Sequence, residues 1–129
     1  MSFRTLAIVT AAVTAVLGLG YLVDGGLMVG RWRIEPTVSV LLFCRRIGAL
    51  YVGLAVMLFL ARNTPASEAR TALCAGAAVI TTSLALLGVY ELSAGRVGPG
   101  MLVSIAIEAL LAFGCIWILA TRRHDTTAG

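Results

Sequence analysis

The chain has 129 residues, of which 60% are hydrophobic and 12% are charged. A typical soluble domain is about 45–50% apolar with about a quarter of its residues charged, so this chain has too little polar sequence to coat a water-soluble fold or to add a soluble catalytic domain. The net charge of +4 comes from arginine, since the sequence contains no lysine. Arginines suit the anionic headgroup layer of a membrane, and no basic run outside the apolar segments suggests a nucleic-acid partner.

Four continuous apolar segments follow one another, and each approaches or exceeds the roughly 20 residues that cross a bilayer as a helix. Their continuous rather than alternating pattern favours helices over strands. We expect Gly25-Gly26 to end the first span, which leaves residues 24–36 as the longest connection. The prediction is a single all-α domain, an integral membrane four-helix bundle that runs up-down-up-down with short connections. The predicted spans are residues 5–23, 37–61, 70–92 and 101–121, followed by a polar tail at 122–129.

The arginines flank the predicted spans unequally. In a four-span topology the N-terminus, the connection at residues 62–70 and the C-terminus share one side of the membrane. By the positive-inside rule, the sequence predicts an inner (plasma) membrane protein with both termini in the cytoplasm. The arginines on the predicted cytoplasmic side are Arg4, Arg62, Arg70, Arg122 and Arg123, against Arg31, Arg33 and Arg96 on the other side. If Arg45 and Arg46 are counted with the second group, the two sides carry equal numbers of arginines.

Charged residues also lie inside the predicted spans. Arg45 and Arg46 lie about two helical turns into span 2, and Glu108 lies about two turns into span 4. Spans 2 and 4 start from the same side, so these residues share a depth. Because an unpaired charge in lipid is costly, we predict that Glu108 faces inward and pairs with Arg45 or Arg46, directly or through water.

Other polar residues end spans 1 and 3 on the same side of the membrane, so the sequence predicts a one-sided polar pocket within the bundle. Intramembrane charges can also fix helix register without binding anything, and this purely structural role stays open. The candidate pocket residues are Asp24, Arg45, Arg46, Glu91, Glu108, Tyr21, Tyr51, Tyr90 and Ser104.

The cysteines Cys44, Cys74 and Cys115 lie in apolar runs without a CxxC spacing, and the single histidine, His124, has no partner at metal-ligand spacing. This pattern predicts small packing residues and neither a metal site nor a cofactor.

Small residues recur at the four-residue spacing that lets helices approach closely in membranes. Span 1 carries Thr10, Thr14 and Gly18 at this spacing, and span 2 carries Ala49 and Gly53. Both stripes are candidates for helix contacts within the chain or for a contact between two copies of it.

Two segments carry a resemblance to a known group. Residues 45–54 (RRIGALYVGL), followed by Leu60-Ala61-Arg62, and residues 107–113 (IEALLAF) resemble bacterial four-helix membrane proteins without an assigned reaction, loosely like the DoxX-type small membrane proteins. The resemblance covers spans 2 to 4. It implies four helices and an arginine, here Arg45, before the glycine of span 2. DoxX-type proteins are described as accessories of membrane oxidoreductase systems, but no motif here carries that role over. Small multidrug transporters share the length and the number of helices, but they have their essential glutamate in span 1. This chain has no glutamate there, so we disfavour that family.

Three hypotheses follow. The favoured one is a non-enzymatic membrane subunit or a binder of an amphipathic ligand, because no nucleophile–base pair is evident. The second is an oligomeric, proton-coupled small-molecule transporter that uses Glu108. The third is a membrane-embedded isomerase or cyclase for a lipophilic substrate, with Glu108 or Asp24 as the acid. Besides the lipid bilayer, the partners left open are a second copy of the chain, another membrane protein and an amphipathic small molecule.

Overall fold

The computed structural model describes the backbone of residues 2–127 and the side chains of residues 2–121. Within that range the chain forms four helices and no strand: α1 (Phe3–Gly30), α2 (Val38–Ala61), α3 (Glu68–Ser93) and α4 (Met101–Thr127). All four are long and apolar enough to cross a membrane, α4 over Met101–Thr121. The chain is therefore a small multi-pass membrane protein, and the predicted all-α four-helix architecture is confirmed. The side chains of the predicted polar tail, 122–129, lie outside the described residues.

Hydroxyl side chains start three of the helices. The Oγ atoms of Ser2 and Ser67 and the Oγ1 atom of Thr37 accept hydrogen bonds from backbone N–H groups three residues later. These bonds satisfy donors that the first helical turn leaves without an intrahelical partner, which is the usual role of serine and threonine at this position. The onsets of α2 and α3 therefore follow from single residues of the sequence.

The predicted end of the first helix at Gly25-Gly26 is wrong. Asp24 leaves the helical region, with φ −143° and ψ 73°, but the helix resumes after this kink and continues to Gly30. The Asp24 carboxylate accepts a hydrogen bond from the Leu27 N–H at 2.9 Å and so caps the resumed segment. Gly25 serves close packing, since a Cβ there would lie 2.6 Å from the Cys44 Cβ. The connection to α2 therefore shortens to residues 31–37.

The helices pack as two antiparallel pairs, α1 with α2 and α3 with α4. The first pair is closest at Gly18 and Gly48. A Cβ added to Gly18 would lie 2.9 Å from the Gly48 carbonyl oxygen, and one added to Gly48 would lie 2.8 Å from the Gly18 carbonyl oxygen. The two backbones therefore touch, and neither position has room for a side chain.

The two predicted small-residue stripes have opposite outcomes. Thr10, Thr14 and Gly18 are buried in α1, so this stripe does pack within the chain. Ala49 and Gly53 are exposed on α2, and a Cβ added to Gly53 would meet nothing within 4 Å. A contact within the chain at Ala49 and Gly53 is therefore absent from the described residues, because the packed face of α2 lies one residue away, at Gly48; a contact between two copies stays a prediction.

Contacts at both ends tie the two pairs together. At one end the Gly98 N–H donates to the Trp32 carbonyl oxygen at 2.7 Å, so the connections at 31–37 and 94–100 meet. At the other end three helices share an apolar cluster, whose members are Phe3, Leu6, Ala7, Cys74, Ala77, Ala78, Cys115 and Ile118. These contacts at the two ends fit the predicted up-down-up-down path.

We predict that Gly48→Ala destabilises the protein and that Gly53→Ala does not. The first methyl group would lie 2.8 Å from the Gly18 carbonyl oxygen and 2.9 Å from the Leu22 Cγ, whereas the second meets open space. Overpacking of this kind costs about 1–3 kcal/mol. Thermal unfolding in detergent should show a lower Tm for Gly48→Ala alone, and equal Tm values for the two variants would contradict the packing described above.

Candidate functional site

Glu108 lies on the inward face of α4. It is partly buried, and it shares a helical stripe with Ser104 one turn before it and with the buried Leu111 and Cys115 after it. Spacings of three, four and seven residues place side chains on one face of a helix. The carboxyl group is therefore directed into the helix assembly, with Ser104 as its polar neighbour on the same stripe.

An aromatic cluster lies opposite that stripe. Tyr21 of α1, 7% exposed, stacks on Tyr51 of α2 with ring centroids 6.1 Å apart and an interplanar angle of 16°. The Trp32 ring lies 6.3 Å from that of Tyr21 at 56°. The Glu108 carboxyl is within electrostatic range of both tyrosine hydroxyls. Three helices thus bring Tyr21, Tyr51 and Glu108 together, and we call these residues with Trp32 the carboxyl–aromatic site.

Arg45 and Arg46 do not join this site, and the predicted direct ion pair with Glu108 is wrong. Both arginines are exposed, and no arginine nitrogen of the described side chains lies within 4 Å of the Glu108 carboxylate. The physical reason is the register of α2. Its inward face is set by Cys44 and Gly48, and successive residues turn by about 100° around a helix axis. Arg45 and Arg46 therefore project beside and behind that face.

Glu91 and Tyr90 form a local cluster of their own. The Glu91 carboxylate accepts two hydrogen bonds from the Arg96 guanidinium, at 2.5 and 3.2 Å, and Arg96 also lies 4.9 Å from the centroid of the exposed Tyr90 ring. These hydrogen bonds to Glu91 raise the pKa of Arg96, because they stabilise the charged form of the guanidinium. These residues lie at the C-terminal end of α3. Glu91 is paired with Arg96 there and does not join Glu108.

Asp24 has a structural task as well. Its side chain is exposed, and its Oδ1 atom caps the resumed segment of α1. The carboxylate proposed as an alternative acid is therefore engaged with backbone N–H. The predicted polar layer thus separates into a helix cap, a local ion pair, two outward arginines and the carboxyl–aromatic site.

Sequence reasoning missed two members of this region, Trp32 and Cys44. Trp32 lies in the connection between α1 and α2, and its ring packs beside Tyr21. Cys44 is buried against Gly25, and its Sγ donates a weak hydrogen bond to the Gly25 carbonyl oxygen at 3.9 Å. The seven-residue spacing from Cys44 to Tyr51 was the available signal, since it places both on one face of α2.

No three His, Cys, Asp or Glu side chains cluster as a metal site within the part of the chain that the structure describes. No protein-family model, curated protein or solved structure matches the chain. Any functional inference therefore depends on the site itself.

The assignment of Asp24 as a helix cap can be tested with two substitutions. We expect Asp24→Ala to lower the free energy of unfolding by about 1 kcal/mol, the usual effect of losing an N-cap. Asp24→Asn should stay close to the original protein, because an amide oxygen also accepts the Leu27 N–H. Equilibrium unfolding in mixed micelles measures both variants. A large loss in Asp24→Asn would mean that the charge of Asp24, rather than its capping oxygen, is needed.

Proposed function

We propose that this protein is a non-enzymatic membrane module that binds an amphipathic ligand at the carboxyl–aromatic site. The observation that carries the proposal is the position of Glu108, partly buried in the middle of an apolar helix and without an arginine partner within 4 Å among the described side chains. A carboxylate in this setting is costly to keep charged unless something pairs with it. A ligand with a positively charged polar end supplies that partner.

The aromatic rings support the same ligand chemistry. The rings of Tyr21, Tyr51 and Trp32 pack together, and the Glu108 carboxyl lies within electrostatic range of both tyrosines. Aromatic side chains attract organic cations. The rest of the ligand would be apolar, because the surrounding side chains include Val29, Met28 and Ile34. The proposed ligand is therefore an amphipathic amine, with its charged group at Glu108 and its hydrocarbon part along the helices.

Two extensions of this proposal differ in what happens after binding. As a subunit, the protein would present the ligand to another membrane protein. As a transporter, it would move the ligand with Glu108 as the protonatable group. The second candidate is favoured by the low burial of α2, the least buried of the four spans, whose exposed apolar side chains, among them Val38, Leu50 and Leu60, offer a second copy a contact area. Transport across the membrane would need such an oligomer.

The arginine distribution supports a proposed orientation. Arg4, Arg62 and Arg70 lie at the end of the assembly where α1 begins and α2 ends. By the positive-inside rule this end faces the cytoplasm of the plasma membrane. The carboxyl–aromatic site would then lie nearer the opposite face.

Photolabelling tests the ligand class directly. Two probes of equal chain length, a diazirine-bearing alkyl amine and the matching alkyl carboxylate, are added to the purified protein in detergent. We expect the amine to label the protein more strongly. Glu108→Gln should reduce amine labelling about tenfold, because a hydrogen bond to a charged group contributes about 1.5–3 kcal/mol.

Glu35→Gln is the matched control, since it makes the same chemical change at an exposed residue outside the site. It should label like the original protein. Equal labelling by the two probes, or undiminished amine labelling of Glu108→Gln, would contradict the proposal. If the amine labels the protein as expected, its uptake into proteoliposomes would distinguish transport from binding alone.

A further inference from the structure

A cavity lies at the end of the assembly away from Glu108. It has a volume of about 570 Å³ and is formed by the start of α1, the end of α2, the start of α3 and the last part of the α4 span. Glu108 and Thr121, which lines this cavity, are separated along α4 by about 20 Å, at about 1.5 Å per residue. The cavity is therefore separate from the carboxyl–aromatic site, and nothing argued about it depends on the proposed function.

The cavity combines three arginines with hydroxyl and amide groups. Arg4, Arg62 and Arg70 line it, and no aspartate or glutamate is among the described side chains that do so. Among the described side chains a salt bridge joins Glu91 and Arg96, at the other end of the assembly. Three positive charges thus share one cavity with no carboxylate to balance them among the side chains that the structure describes, which favours occupation by an anion.

Two of the arginines are held in place by their surroundings. The Arg70 guanidinium carbon lies 4.2 Å from the centroid of the buried Phe3 ring, and the Arg70 Nε is buried with no hydrogen-bond partner. The Arg62 guanidinium carbon lies 3.9 Å from the Phe59 centroid, and its Nη1 donates to the Phe59 carbonyl oxygen at 2.6 Å. Ring contacts of this kind fix the guanidinium planes while leaving N–H groups to bind a ligand.

The unsatisfied donor is the most specific of these observations. A buried N–H on a charged group costs free energy when it has no acceptor, and a phosphate offers several acceptor oxygens that match the guanidinium fork. The cavity also lies where the spans end, because Arg62 follows the last residue of α2. That is the depth of the headgroup layer, and basic pockets between membrane helices bind phospholipid headgroups there.

We propose that Arg4, Arg62 and Arg70 form a binding site for an anionic phosphate group, carried by a phospholipid headgroup or by a soluble phosphate compound. The acyl chains of a bound lipid would continue along the apolar helix surfaces below the cavity. Phe3 and Ile118 would border the phosphate on the apolar side.

The test uses the full-length protein in dodecylmaltoside with three probes: phosphatidylglycerol, phosphatidylcholine and inorganic phosphate. Native mass spectrometry measures bound lipid, and thermal unfolding measures the shift in Tm with each probe. We expect phosphatidylglycerol to bind more tightly than phosphatidylcholine and to raise the Tm. A shift with phosphatidylglycerol alone identifies the source as a lipid headgroup, and a shift with inorganic phosphate as well identifies a soluble phosphate site.

The variants Arg62→Gln and Arg70→Gln should each weaken phosphatidylglycerol binding about tenfold, since each removes a charged donor. Arg45→Gln is the matched control, because Arg45 is exposed and lies outside the cavity. If Arg70→Gln fails to fold, Arg4→Gln carries the test, as Arg4 is exposed on the first turn of α1. Cavity variants that bind phosphatidylglycerol as tightly as Arg45→Gln, or equal binding of the two lipids, would overturn the proposal.

Discussion

The contact between the backbones of α1 and α2 at Gly18 and Gly48 sets the geometry on which the carboxyl–aromatic site depends. Lipid tails are as apolar as leucine side chains, so helices in a bilayer gain little from burying apolar surface against each other. Close approach through small residues replaces that driving force. At both glycines an added Cβ would lie within 3 Å of the opposing backbone, which fixes the separation and the register of the pair.

That register brings the two tyrosines together. Tyr21 lies one turn after Gly18, and Tyr51 lies one turn after Gly48. Helical side chains tilt towards the N-terminus of their own helix, so in an antiparallel pair these rings lean towards each other and stack. Glu108, on α4, lies within electrostatic range of the stacked pair. The carboxyl–aromatic site is thus a consequence of glycine packing and helix direction rather than of charge attraction.

The charges of the chain have divided roles. Asp24 caps the segment after the kink, and Glu91 holds Arg96. Both carboxylates therefore already accept hydrogen bonds from groups of the chain itself and stabilise local structure. Glu108 lies at one depth of the membrane and the arginine cavity lies at another. Neither has a partner of opposite charge among the described side chains. The two sites differ in sign, so each selects a different ligand chemistry.

The sequence was sufficient to predict the four spans and the inward position of Glu108 on the fourth, because hydropathy and helical spacing are local properties. It failed where the outcome depended on rotation between helices. Equal depth suggested an Arg45–Glu108 pair, but depth says nothing about which face a residue occupies. Gly25-Gly26 suggested a helix end because glycine is a poor helix former, yet here the need was for space beside Cys44. The arginine cavity joins residues from four separate segments, so no single spacing could reveal it.

Lipid accessibility along α4 tests the orientation of Glu108 most directly. A nitroxide label is placed in turn at positions 103 to 111 of a variant without native cysteines, and its collision rate with oxygen is measured in bilayers. The fold described here predicts minima at 104, 108 and 111, and maxima at 103, 106 and 110, because the first set faces inward and the second faces lipid. A maximum at position 108 would place the carboxyl in lipid and contradict the carboxyl–aromatic site.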